Sequence, residues 1–231
     1  MAKSPWVRPM FDAIAPRYDL LNRLMSFGMD RGWRRHAVDQ ALIGRPTTIL
    51  DAGAGTLDLS LEAWRRSANA PRVIALDFAG EMLAHGMERA RRDGADVSAL
   101  QGDALCLPLA SGSVDAIVSA FLPRNLDSLP RAWSGFARVL RPGGVLVILE
   151  MTPIRTPVFR HLFRLYFHRW IPWVGRRISG HAAAYTWLPE SVDDFPTAQE
   201  LAHQIEAAGF VDVRFRKHAL GAVAIHVARR P

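Results

Sequence analysis

Short apolar runs alternating with helical stretches restrict this chain to one class of fold. Residues 47–51 form an apolar run ending at Asp51, and residues 72–77 form another ending at Asp77. Runs at 97–100, 114–120 and 145–150 continue the series. Between them, residues 57–67, 79–92 and 129–140 carry apolar side chains at helical spacing, with Gly94 placed to cap the second helix. Arg141-Pro142-Gly143-Gly144 reads as the stop after the third. Strands alternating with helices predict a mainly parallel sheet covered on both faces, and the run VLVIL suits a strand buried on both sides. A helix over 197–208 closed by Gly209, then strands at 211–217 and 222–227, predict a terminal antiparallel hairpin turning near 218–221. Residues 5–42 read as helices broken at Phe27-Gly28, with Asp30 as the expected cap of the second. The expected architecture is α/β: a seven-stranded, mostly parallel sheet with a C-terminal antiparallel hairpin and a helical N-terminal cap. Residues 1–45 form that cap, and 46–231 form the main domain with a helical insertion at about 155–190.

The glycine loop bears on chemistry. Asp51-Ala52-Gly53-Ala54-Gly55 follows the first strand and precedes a helix. Ligands of open α/β sheets bind outside the carboxyl ends of the strands, and glycine there lets the backbone approach them. Asp77 ends the second strand, where a carboxylate can accept both ribose hydroxyls of an adenosine; Phe78 follows it. Gly102-Asp103-Ala104 follows the third strand, with Asp103 placed to meet an adenine amino group. The G-x-G-x-x-G dinucleotide fingerprint fails, because its sixth position is Asp58. S-adenosylmethionine (SAM) carries no phosphate and does not require that fingerprint.

Longer motifs carry a resemblance. Tyr18-Asp19-Leu20-Leu21-Asn22, Met25-Ser26 and Trp33 resemble the first signature of the UbiE/MenG quinone methyltransferases. Arg138-Val139-Leu140-Arg141-Pro142-Gly143-Gly144 with Leu149-Glu150 resembles the second. Leu188-Pro189-Glu190-Ser191, Phe195-Pro196, Ala208-Gly209-Phe210 and residues 221–226 are similar to the family's tail. The resemblance implies a Rossmann-like class I methyltransferase that transfers methyl from SAM to a ring carbon of a prenylated quinol, such as demethylmenaquinol or a ubiquinone precursor. It implies cofactor contacts at Asp51, Gly53, Gly55, Thr56, Asp77, Phe78, Asp103, Ala104 and Ala120, and catalytic roles for Arg124, Asn125 and Tyr185. Departures are Leu57 for a glycine, Ala120 for a serine, Asp30 for a histidine, Leu122-Pro123 for Gly-Leu and Thr152 for a serine. They keep two alternatives open: another small aromatic or lipid acceptor, and a SAM-binding protein without turnover.

In the expected reaction a quinol carbon becomes nucleophilic as a neighbouring hydroxyl loses its proton. Arg124 is expected to stabilise the phenolate and Asn125 to orient the ring, with Tyr18 and Tyr185 as wall. Asp19 reads equally as helix cap or site residue, and His226 as a strand histidine. No metal-ligand spacing is present, and no metal is expected.

Composition narrows partners and compartment. The single cysteine, Cys106, excludes an internal disulfide and is expected as a small core residue. No secretory leader or membrane-spanning run is readable, so a cytoplasmic location is expected, including the inner face of a membrane. The net charge of +7 concentrates in residues 155–181, which hold six arginines, three histidines and no acid. Within 155–177, aromatics at helical spacing predict a helix at a membrane interface. Nucleic acid is not expected as a partner, and a homodimer is compatible with the chain.

Overall fold

The structure, a computed structural model, describes residues 4–154 and 189–231. Helix α1 (Ser4–Met25) and helix α2 (Asp30–Leu42) precede the sheet. Then follow β1 (Thr48–Ala52), α3 (Asp58–Arg66), β2 (Arg72–Asp77), α4 (Gly80–Asp93), β3 (Val97–Gln101) and β4 (Val114–Ala120). Helix α5 (Leu129–Val139) leads directly into β5 (Leu140–Met151). Helix α6 (Ala198–Ala207), β6 (Val211–His218) and β7 (Val223–Arg229) complete the described chain.

The seven strands form one sheet in the order β3-β2-β1-β4-β5-β7-β6. Strands β1 to β5 run parallel, and β7 lies antiparallel between β5 and β6. Side chains alternate between the faces of a strand, so adjacent residues feed different layers. Ile49, Val118, Val147 and Leu149 pack with Ala37 and Val38 of α2 and Leu59 of α3. Leu50, Ile117, Leu146 and Ile148 pack on the opposite side with Trp133 and Phe136 of α5 and Leu201 and Ile205 of α6. The run from Val145 to Leu149 is buried throughout, as its composition predicts.

Three local expectations are corrected. Asp30 is the first residue inside α2 and not its cap; it accepts from Ser26 Oγ at 2.8 Å and pairs with Arg34 one turn on. The Arg141–Gly144 stretch lies inside β5 as a register shift against β4 and does not stop the chain. It is held across the sheet, where Gly143 N–H donates to the Arg230 carbonyl and Arg230 N–H to the Gly144 carbonyl. Cys106 is exposed. Ala104 and Leu107 take the buried positions of that turn, and the Cys106 amide donates to the Asp103 carbonyl.

Candidate active site

Parallel strands bring the carboxyl ends of β1, β2, β3 and β4 to one edge of the sheet. Chain order reverses between β1 and β4, and a crevice opens at such a switch point. Two adjoining cavities occupy it. The first spans about 450 Å³, part of it open to solvent, and is lined by Gly53, Asp77, Phe78, Asp103, Ala104 and Leu122 among others. The second spans about 370 Å³, part of it open to solvent, and adds Phe11 and Tyr18 from α1, Met82 from α4, Ala120 at the end of β4 and Phe121 after it. Gly53, Asp77, Phe78, Leu122 and Asn125 line both.

Backbone bonds shape the loop after β1. The amides of Gly53 and Ala54 both donate to the Leu76 carbonyl, which folds the loop over the end of β2. Gly53 has φ +74°, and a Cβ there would meet the Leu122 side chain at 2.8 Å. Asp77 stands at the junction of the cavities. Its Oδ2 accepts from Gly55 N–H at 2.8 Å and its Oδ1 from Ala79 N–H at 2.9 Å. Burial pushes its carboxyl above the ordinary aspartate range, against the pull of those amides.

Asp51, expected as a cofactor contact, lies under the loop at the carboxyl end of β1. It is buried outside the described cavity lining, and its Oδ2 accepts from the amide and the hydroxyl of Ser60, at 3.0 and 2.6 Å. This pins the first turn of α3 beneath the loop. Burial raises its pKa to about 7, with the Asp77 and Asp58 charges adding to the rise. The sign follows from the unfolded value of 3.8: from there to about 7 the folded protein holds the extra proton. Asp51 therefore favours folding at the acid end of that window, and the contribution is lost as pH rises through it. Asp51→Asn keeps an acceptor for Ser60 and removes the proton. Its stability relative to the unaltered protein should rise with pH across this window, with a slope approaching about 1.4 kcal/mol per pH unit. Urea unfolding between pH 5 and pH 8 measures it; parallel curves would refute the assignment.

Thr56, also expected to contact the cofactor, is absent from the lining of both cavities. It is buried, and its hydroxyl donates to Asp19 Oδ1 at 2.5 Å. That bond takes Asp19 into the support of the loop. Leu57 answers for the missing family glycine: it keeps the left-handed backbone, with φ +66° and ψ 24°, while its side chain is fully buried. That side chain packs with Leu61, Val73, Ala75 and Leu83, against Gly86, and is absent from the lining of both cavities.

Arg124 is not among the lining residues either. Its guanidinium pairs with the fully buried Glu150 at 2.6 Å, donates to the Phe121 carbonyl at 2.8 Å and lies 5.5 Å from the Phe121 ring centre. Expected to stabilise the acceptor phenolate, Arg124 carries its guanidinium against Glu150 among the described residues. Asn125 does line both cavities, its amide nitrogen held by the Phe121 carbonyl at 3.0 Å. Asp103 lines the first cavity and accepts from Leu105 N–H at 2.8 Å; Ala104 is buried beside it. Ala120 lines the second. Tyr185, the basic aromatic segment 155–177 and most of the expected insertion lie outside the described residues. His226 is buried on β7 beside the Ala198 carbonyl.

Sequence reasoning missed Phe11, Met82, Phe121, Leu126 and Asp127. Phe121 directly follows β4 and was readable by position. Phe11 and Met82 sit on helical faces that periodicity marks only as apolar. The described lining of the crevice is acidic, with Asp77, Asp103 and Asp127 and no lysine or arginine, although the chain as a whole carries +7.

The family model described as the ubiE/COQ5 methyltransferase family matches residues 1–230. A demethylmenaquinone methyltransferase of Thermus thermophilus is 47% identical over 222 residues, covering 96% of this chain and 100% of that protein. A ubiquinone/menaquinone biosynthesis C-methyltransferase UbiE of Syntrophotalea carbinolica is 40% identical over 221 residues, 95% of this chain and 92% of that protein. Among solved structures, the [4+2]-cyclase SpnF aligns with TM-score 0.71 at 17% identity, covering 100% of this chain and 96% of that one. A SAM-dependent methyltransferase of Aquifex aeolicus aligns with TM-score 0.59 at 21% identity, covering 80% and 82%. These structures share the fold.

Proposed function

The chain belongs to the ubiE/COQ5 methyltransferase family, and from that premise we propose that it methylates a ring carbon of a prenylated quinol, such as demethylmenaquinol or a ubiquinone precursor. It is a SAM-dependent methyltransferase on a Rossmann-like fold. The observation that carries the reading is the acidic, two-lobed crevice. A basic lining would suit the phosphates of a dinucleotide. Asp77 and Asp103 in the lining suit a nucleoside bearing a positive sulfonium and no phosphate.

Asp77 would hold the ribose, and Asp103 with Ala104 would border the adenine. Bound SAM supplies an activated methyl group. The second cavity would take the acceptor. Phe11, Tyr18, Phe78 and Phe121 give it aromatic walls, and Phe11 meets Tyr18 edge to face at 6.0 Å. Such walls suit a flat aromatic ring. Its polar side chains among the described residues are Tyr18, Asp77 and Asn125. Burial raises the Tyr18 pKa, so the phenol stays neutral and offers a hydrogen bond. Tyr18 and Asn125 would orient the quinol hydroxyl whose lost proton activates the neighbouring carbon. Arg124 lowers the Tyr18 pKa through space and contributes from below the wall.

Incubation of the purified protein with SAM and a short-chain demethylmenaquinol, followed by mass spectrometry, tests the proposal. One added methyl on carbon is expected with the reduced acceptor and none with the oxidised quinone. Failure on every quinol offered, despite SAM binding, would reject the acceptor assignment.

A further inference from the structure

One guanidinium joins the glycine loop to the helix that supplies the acceptor wall. Arg89 on α4 donates through Nη1 to Asp19 Oδ2 on α1 at 2.6 Å and to the Thr56 carbonyl at 2.9 Å. Through Nη2 it donates to Asp58 Oδ1 at the start of α3, at 2.8 Å. Thr56 Oγ1 closes the ring by donating to the other oxygen of Asp19. Asp58 lies 3.4 Å from Arg34, which also pairs with Asp30 on α2. The side chains of Arg89 and Asp19 are 23% and 28% exposed, so this is no solvated surface pair.

The location gives the network its consequence. Asp19 follows Tyr18 in the chain, and α1 brings both Tyr18 and Phe11 to the second cavity. Thr56 ends the loop whose Gly53 and Gly55 line the crevice. The spacing between cofactor loop and acceptor wall therefore runs through three side chains.

We propose that Arg89 is a positioning residue for methyl transfer, fixing α1 against the glycine loop through Asp19 and Thr56. The inference rests on the reading that SAM takes the first cavity and the acceptor the second. Transfer between two bound reactants needs near-attack placement, and a displacement of about 1 Å can cost about 100-fold in rate. The planar fork of arginine reaches several acceptors at once, which a lysine ammonium on its single stem does not reproduce.

Arg89→Lys keeps the charge and is the informative variant. Its kcat with the short-chain quinol should fall about 10- to 100-fold. Its Kd for SAM, by calorimetry, should stay within about five-fold, the scale of a part-exposed ion pair. A second readout needs no acceptor: SAM should slow amide exchange across residues 11–22 in the unaltered protein, and Arg89→Lys should abolish that linkage. Asp19→Asn, which removes the charge facing Arg89, should reproduce both effects and serves if the lysine variant does not fold. Arg65→Lys, at the exposed Arg65–Asp93 pair, should change nothing.

Unchanged kcat and unchanged SAM-linked exchange in Arg89→Lys would overturn the proposal. So would a loss of kcat that merely follows lower thermal stability while SAM still protects α1. Absence of quinol turnover by the unaltered protein would refute the acceptor reading alone, since the exchange experiment still judges the clamp.

Discussion

Leu57→Ala should lower stability by about 2–5 kcal/mol, and Leu57→Gly should lower it by about 1 kcal/mol less. The order is the unusual part. At an ordinary helix or strand position, glycine is worse than alanine by roughly 0.5–1 kcal/mol. Leu57, however, has φ +66°, where any side chain with a Cβ costs about 1–2 kcal/mol. Alanine keeps that strain and loses the burial among Leu61, Val73, Ala75 and Leu83. Glycine loses the same burial and relieves the strain. Both variants should keep their affinity for SAM, because the leucine side chain lines neither cavity. Urea unfolding of the three proteins measures the order, and a glycine variant less stable than the alanine variant would contradict the strained-turn account.

Asp77→Ala should weaken SAM binding by about 1–3 kcal/mol, the scale of a lost charged hydrogen bond, or roughly 5- to 150-fold in Kd. Two effects point the same way. The variant loses the carboxylate at the junction of the cavities, and it strips Gly55 N–H and Ala79 N–H of their acceptor. Asp77→Asn retains an acceptor without the charge and should fall between. Because burial raises the Asp77 pKa, affinity in the unaltered protein should decline as pH falls through that raised value and protonation removes the charge. Calorimetry on the variants decides; an Asp77→Ala Kd equal to that of the unaltered protein would exclude Asp77 from the cofactor site.

Much of this architecture was readable from residue order. The second strand, over 72–77, and the fourth, over 114–120, were found at their observed limits. Their apolar runs are buried on both faces, so hydrophobicity and strand length coincide. The acid of the second strand was found at the crevice for the same reason. Features fixed by distant partners were not readable. The Arg141–Gly144 stretch has the composition of a stop, yet Arg230, just past the end of the neighbouring strand β7 and remote in sequence, keeps it in a strand. Arg124 looks like a free loop cation until Glu150 closes on it. Asp51 and Asp77 both close apolar runs in the sequence, and only the fold separates the one that faces Ser60 from the one that faces the crevice.

The position of β7 between β5 and β6 also bears on how quickly the molecule assembles. The β6–β7 hairpin is local, closed by residues 219–221, and can form early. Its docking onto β5 pairs Val147 with Val227, and this large loop must close before the central strands gain their last neighbour. Until then the outer edge of β5 offers unpaired amides and carbonyls to any passing strand. Substitutions that weaken the β7 seam should therefore cost yield through aggregation during refolding before they cost activity in the finished enzyme.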